Sequence, residues 1–143
     1  MINLNKAFLP RPEDVKEHWE LIDATGKTVG RLATEIANKV RGKNLIISTP
    51  NVKTGAKVVV INAEKVVFTG NKINTKEYWE FTGYIGNRKE FTPKDLIKKG
   101  KAEYILEHAV KGMLRNCKMD KQLFKSHVYI YKGSEHPHKA QIK

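Results

Sequence analysis

Two stretches of the chain carry the same apolar spacing. Val29, Leu32, Ala33, Ile36, Ala37 and Val40 fall at i, i+3, i+4, i+7, i+8 and i+11, and Ala102, Ile105, Leu106, Ala109, Val110 and Met113 repeat the pattern. Such spacing marks one face of a 3.6-residue period, so each stretch predicts an amphipathic helix with that face turned inward. On the first helix Arg31, Glu35, Asn38 and Lys39 take the opposite face, and Gly42 is a natural stop. Val58-Val59-Val60-Ile61 is instead a continuous β-branched run, the pattern of a strand buried on both faces in a parallel sheet. Trp19-Glu20-Leu21-Ile22 and Val128-Tyr129-Ile130-Tyr131 read as further strands. A strand followed by a helix opens an α/β unit.

The remaining pattern is less regular. Val66-Val67-Phe68 fits another strand or a short element ending at Thr69-Gly70-Asn71-Lys72. Residues 73–92 mix Tyr78, Trp79, Phe81, Tyr84 and Phe91 with Gly83 and Gly86, and both strands and an ordered loop fit them. Aromatic side chains most often pack in cores, so Trp79 and Phe81 are expected inside; stacking on nucleic-acid bases is the alternative, and Tyr84 stays open between the two. Thr92-Pro93 predicts a capped helix start with proline in the first turn, and Gly100 closes that helix. A third helix fits residues 119–126. Pro10 and Pro12 mark residues 1–17 as an extended arm; residues 18–131 form one α/β domain, and 132–143 a basic tail.

Charge changes the picture. The chain has 143 residues with 27 Lys plus Arg against 15 acids, a net charge of +12. Small soluble domains need only ~2–8 charges. Residues 31–62 carry 6 basic and 1 acidic side chains and residues 111–143 carry 8 and 2, whereas residues 1–30 carry 4 and 5. Charge concentrated in two stretches points to a polyanion. The single cysteine, Cys117, excludes an intrachain disulfide and a paired-cysteine zinc site, and suits a reducing compartment. Residues 1–10 hold no secretory pattern and no stretch has the ~20 apolar residues of a membrane span, so a cytoplasmic protein with no membrane partner is expected.

Several motifs invite catalytic readings and fail. Gly26-Lys27-Thr28 stands between strand and helix, but a phosphate loop needs glycine at position 21, which is Leu21. The helix start beside Lys27 can still meet one RNA phosphate. His136 and His138 have no third ligand at metal spacing. Neighbours on a helix such as Glu107 and His108 do not face each other, so no dyad is formed there. No catalytic residue, metal, cofactor or small-molecule substrate is expected. Glycine-plus-cation clusters are more specific: Arg41-Gly42-Lys43, Thr69-Gly70-Asn71-Lys72, Gly86-Asn87-Arg88-Lys89, Lys111-Gly112-Met113-Leu114-Arg115 and Lys132-Gly133-Ser134. Glycine lets backbone approach a phosphate and the adjacent cation neutralises it. The candidate RNA-binding residues are Lys27, Arg41, Lys43, Lys72, Arg88, Lys89, Lys111, Arg115, Lys118, Lys121, Lys132, His136, His138 and Lys139.

The run Asp23-Ala24-Thr25-Gly26-Lys27-Thr28-Val29-Gly30-Arg31-Leu32-Ala33, followed by Arg41-Gly42-Lys43, Thr49-Pro50, Val59-Val60-Ile61-Asn62-Ala63-Glu64-Lys65-Val66, Thr69-Gly70-Asn71-Lys72, Glu107-His108-Ala109-Val110-Lys111-Gly112-Met113-Leu114 and Gly133-Ser134-Glu135-His136-Pro137-His138, resembles the large-subunit ribosomal protein L-thirteen family, bacterial type. The resemblance implies a three-layer α/β/α sandwich with a mainly parallel four-stranded sheet and helices on both sides. It implies binding to 23S-type rRNA, a part in early large-subunit assembly, neighbouring large-subunit proteins as partners, and no catalysis. No homo-oligomer is expected. The chain departs from the family pattern at residues 45–48, 51–57 and 115–121. A mononucleotide-dependent enzyme and a messenger-RNA regulator are the competing readings.

Overall fold

The structure is a computed structural model that describes residues 9–142; the rest of the expected N-terminal arm lies outside the described residues. Three strands form a parallel sheet, with Lys57–Ile61 flanked by Trp19–Asp23 on one edge and Val128–Ile130 on the other. β1 (Trp19–Asp23) pairs with β2 (Lys57–Ile61) from Trp19 opposite Lys57 to Asp23 opposite Ile61. On the other edge of β2, Val58 faces Val128 and Val60 faces Ile130 of β5 (Val128–Ile130). β2 is the central strand, and Val58, Val59 and Val60 are completely buried, as their unbroken β-branched run predicts.

The sheet has three strands rather than the expected four. Residues 66–68 contribute only a single parallel bridge, Val67 with Thr28. The reason is local. Val67 receives the amide of Val29 and donates its own to the Lys27 carbonyl, but the chain turns helical at Val29, so the ladder has nowhere to continue.

α1 (Val29–Val40) buries all six residues of its predicted face. α4 (Ala102–Met113) packs along it and buries Ala102, Ile105, Leu106 and Val110. One core joins Leu32, Ile36 and Val40 of α1, Leu106 and Val110 of α4, and Leu123 of α5 (Lys118–His127) to Ile22, Val58 and Val60 of the sheet. Each such aliphatic side chain contributes ~1.5–3 kcal/mol through burial. These three helices therefore share the side of the sheet that carries Val58 and Val60. The structure places a different element against the opposite side. There the Trp19 and Tyr129 rings stack at 5.5 Å, and the C-terminal segment lays the His138 ring 4.9 Å from Trp19 and 4.6 Å from Tyr129.

Residues 73–92 resolve into a helical turn, α2 (Lys72–Thr75), and an antiparallel hairpin of β3 (Tyr78–Phe81) and β4 (Arg88–Phe91). A second, smaller core of Val29, Tyr78, Leu96 and Ile105, with Phe91 against it, anchors the hairpin base. Trp79 and Phe81, expected inside, are exposed. Strand alternation explains the correction: the core takes the opposed pair Tyr78 and Phe91, which turns positions 79 and 81 outward. α3 (Pro93–Lys98) follows, capped as predicted: the Asp95 amide donates to Thr92 Oγ1 at 3.3 Å and the Thr92 amide donates to the Asp95 carboxylate at 3.2 Å.

Candidate nucleic-acid interface

The ends of these elements leave a run of three adjoining concavities. The first, about 740 Å³, lies between the start of α1, residues 67–76 and the end of α4. The second, about 620 Å³, lies between the end of α4 and the first turns of α5, and shares His108 and Gly112 with the first. The third, about 250 Å³, lies between residues 41–52 and residues 115–120, and shares Arg115 and Asp120 with the second. The loop after α1 and the loop before α5 are thus opposite walls of one concavity.

Charge along this run is one-sided. Its walls carry Arg31, Lys72, Lys76, Lys111, Arg115, Lys121, Lys125, Arg41 and Lys43, and one carboxylate, Asp120. Asp120 is itself buried, and its Oδ2 is committed. It accepts the Arg115 amide at 2.9 Å, lies 3.6 Å from Arg41 Nε, and its own amide donates to the Cys117 thiol at the start of α5. This carboxylate ties the end of α1 to the 114–117 loop and leaves no free negative charge on the walls. The ion pairs among the described residues engage Arg41 but none of the other eight cations. Those eight are all exposed. Lysines and arginines left unpaired on a concave wall raise the local potential that steers a polyanion.

His108 stands on the wall shared by the first two concavities, edge-on to the Tyr78 ring at 5.2 Å. Burial first, and then the charges of Lys76 and Lys111, push its pKa below the ordinary histidine value. It is a neutral hydrogen-bonding group at pH 7.

The predicted site residues divide accordingly. Arg41, Lys43, Lys72, Lys111, Arg115 and Lys121 line the run, although the half-buried Arg41 guanidinium is committed to Asp120. Lys118 opens α5 beside it and is exposed. Lys27 is held by Glu35 at 3.3 Å and Lys132 faces Glu103 at 4.0 Å. Arg88 and Lys89 belong to the hairpin, and Lys139 is exposed in the C-terminal segment. His138 packs on strand rings, and the His136 ring lies 6.3 Å from that of Tyr131. Arg31, Lys76, His108 and Lys125 line the run without having been singled out in the sequence. One signal pointed to two of them: Lys72 and Lys76, like Lys121 and Lys125, are like charges four apart, a spacing that costs a helix ~0.2–0.5 kcal/mol unless an anion lies across it.

Among the described residues no helix is long and apolar enough to cross a membrane, and no cluster of three metal-ligating side chains occurs. The family model described as ribosomal protein L13 matches residues 17–137. The chain is 46% identical over 136 residues to the large ribosomal subunit protein uL13 of Maridesulfovibrio salexigens, covering 95% of this chain and 94% of that one. It is 47% identical over 134 residues to the protein of that name from Xanthomonas oryzae pv. oryzae (94% and 93% covered), and 46% identical over 136 residues to that from a Thermoanaerobacter species (95% and 94% covered). With its mixed α/β fold and mainly parallel sheet, the chain belongs to the ribosomal protein L13 family, whose members are structural, non-enzymatic components of the ribosome.

Proposed function

We propose that this chain is a structural constituent of the cytoplasmic large ribosomal subunit that binds 23S-type rRNA along the run of concavities and supports early subunit assembly. One observation carries the RNA reading: eight exposed, unpaired cations on one concave run whose only carboxylate is already committed. RNA segments that approach each other during folding repel through their phosphates. A rigid α/β body that holds cations at several wall positions neutralises that repulsion and fixes how the segments lie. The relatives' printed name, large ribosomal subunit protein, supports the assignment to that particle. Neighbouring large-subunit proteins are its other partners. The competing enzyme reading finds no glycine cradle at Leu21, which lies within β1.

Sucrose-gradient sedimentation of a lysate, with a high-salt wash of the large-subunit peak, tests the assignment. Stoichiometric retention after the wash is expected; a chain found only at the top of the gradient would overturn it. For the RNA contact, affinity for a large-subunit rRNA fragment is expected to fall ~10³-fold or more between 50 and 200 mM salt if six or more phosphates are neutralised.

A further inference from the structure

We propose that the β3–β4 hairpin is a stacking platform for unpaired nucleotides, an inference that rests on the RNA-binding reading above and adds a second kind of contact to it. Trp79 is 59% and Phe81 56% exposed, and Tyr84 (76%) stands at the turn beyond them. The register puts Trp79 and Phe81 on one face of the hairpin, together with Arg88 and Glu90. Residues two apart on a strand are separated by ~6.8 Å, about twice the ~3.4 Å rise between successive nucleotides of a strand. Two rings at that interval suit bases of a single strand, because every base presents a π-face whatever its identity.

One cation is built into this platform: the Arg88 guanidinium lies 5.4 Å from the Trp79 ring centroid. Lys76 Nζ and Lys99 Nζ lie 5.0 and 4.9 Å from the Tyr78 and Phe91 rings, the opposed pair on the core-facing side of the hairpin. The only other such pair among the described residues is Lys57 on Trp19, on the far side of the sheet. The carboxylates are matched: Glu90 pairs with Arg88 at 2.9 Å, and Glu80 lies opposite Lys89. The platform is also continuous with the basic run, since Lys72 and Lys76 line the first concavity and the chain enters β3 two residues later. A strand leaving the concavity over Lys76 meets the exposed rings next. A purely apolar protein partner would not call for Arg88 against Trp79 or for the basic run that adjoins the hairpin.

Trp79→Leu with Phe81→Leu removes the rings but keeps apolar bulk. Fluorescence anisotropy of the full chain with a labelled twelve-nucleotide single strand, with the same RNA as a duplex, and with an abasic strand of equal length tests the platform. The double variant is expected to lose about 5- to 100-fold in single-strand affinity, with duplex affinity and the salt slope unchanged. Abasic RNA is expected to bind the wild-type chain as weakly as intact RNA binds the variant. Equal binding of intact strand by variant and wild type overturns the platform. So does wild-type binding of abasic RNA as tightly as of intact RNA. If the variant binds single strands normally but is missing from large subunits, the hairpin serves a protein partner and the platform falls. A steep salt slope without single-strand preference overturns the platform alone; absence of any RNA binding overturns it together with the groove reading.

Discussion

Two sets of lysines in this molecule differ in the acids beside them. One is committed: Lys57, on the face of the sheet that carries Trp19, to Glu17 at 2.6 Å, and Lys39, on α1, to Glu20 at 2.7 Å, the latter raising the Lys39 pKa. The other, on the concave run, faces no carboxylate but Asp120, which is itself occupied. The net charge of +12 treats both populations alike. What separates them is the placement of acids, and that separation, more than total charge, defines where a polyanion can settle.

Asp120 is at once a committed acid and part of the concave wall. Asp120→Ala removes the anion that holds Arg41 and the 114–117 loop. Loss of one member of a buried pair costs about 3–5 kcal/mol. Thermal denaturation should show the melting point falling by ~6–20 °C, and an unchanged melting point would mean that the loop is held by other contacts.

Next in size is a loss of RNA affinity without loss of fold. Lys111→Ala with Arg115→Ala should lower the salt slope by about two, one for each phosphate contact, while the melting point stays within a degree or two of wild type. Lys57→Ala should do the reverse: the slope stays, and stability drops by ~0–1 kcal/mol, the range for a partly exposed ion pair. Slopes that respond equally to both changes would dissolve the distinction between the two populations.

Histidines sharpen the contrast further. His127 is buried beside β5, with its Nδ1 2.6 Å from Ser126 Oγ, and burial followed by the charges of Lys57 and Lys53 lowers its pKa. Its proton is bound more weakly in the fold than in the unfolded chain. Its contribution is therefore fully present at high pH and is lost as pH falls below the unfolded value of ~6.5 towards the lower folded one. His127→Gln should flatten that part of the stability profile. His108 is lowered too, but it stands in the groove, where a proton adds a cation facing RNA. Between pH 7.5 and 5.5 rRNA affinity should rise in wild type and rise less in His108→Gln; identical profiles would remove His108 from the interface.

The smallest expected effect is at Asp23. Its carboxylate accepts from Asn62 at 3.0 Å and from the Thr25 amide and hydroxyl at 3.0 and 2.7 Å, and these bonds lower its pKa to about 2. The depressed value means that its contribution is present above the unfolded pKa of ~3.9 and disappears as pH falls through about 2. Acid titration of Asp23→Asn should lack that step.

How much of this was legible beforehand depends on which distances the sequence can express. The inward face of α1 is readable residue by residue, and that of α4 up to Val110, because a helix face is set by neighbours three and four apart; Met113, expected inward, is exposed at the last turn of α4, where it lines the groove. The Thr92 cap is readable too. The hairpin read inside out, because aromatic content says that something packs and only the opposed pair Tyr78 and Phe91 decides which face does. The fourth strand shrank to one bridge because its neighbour had become α1. The groove was the least legible feature. Its walls come from four separated stretches, and Lys57 meets an acid forty positions away. No local pattern distinguishes such a lysine from Lys111.

The loop between α1 and β2 has a property of another kind. Gly42 has φ +68°, and a Cβ there would sit 2.6 Å from Thr54 Oγ1; a Cβ at Gly55 would overlap the Val40 carbonyl. The two glycines press both ends of the loop onto the last turn of the helix, while Ile46 between them is fully exposed. What lies between such fixed ends can be exchanged or lengthened cheaply, since doubling a flexible loop costs only ~0.6 kcal/mol. The exposed tip of the loop around Ile46 is in effect a replaceable cassette. It offers a place to insert a reporter sequence at position 46.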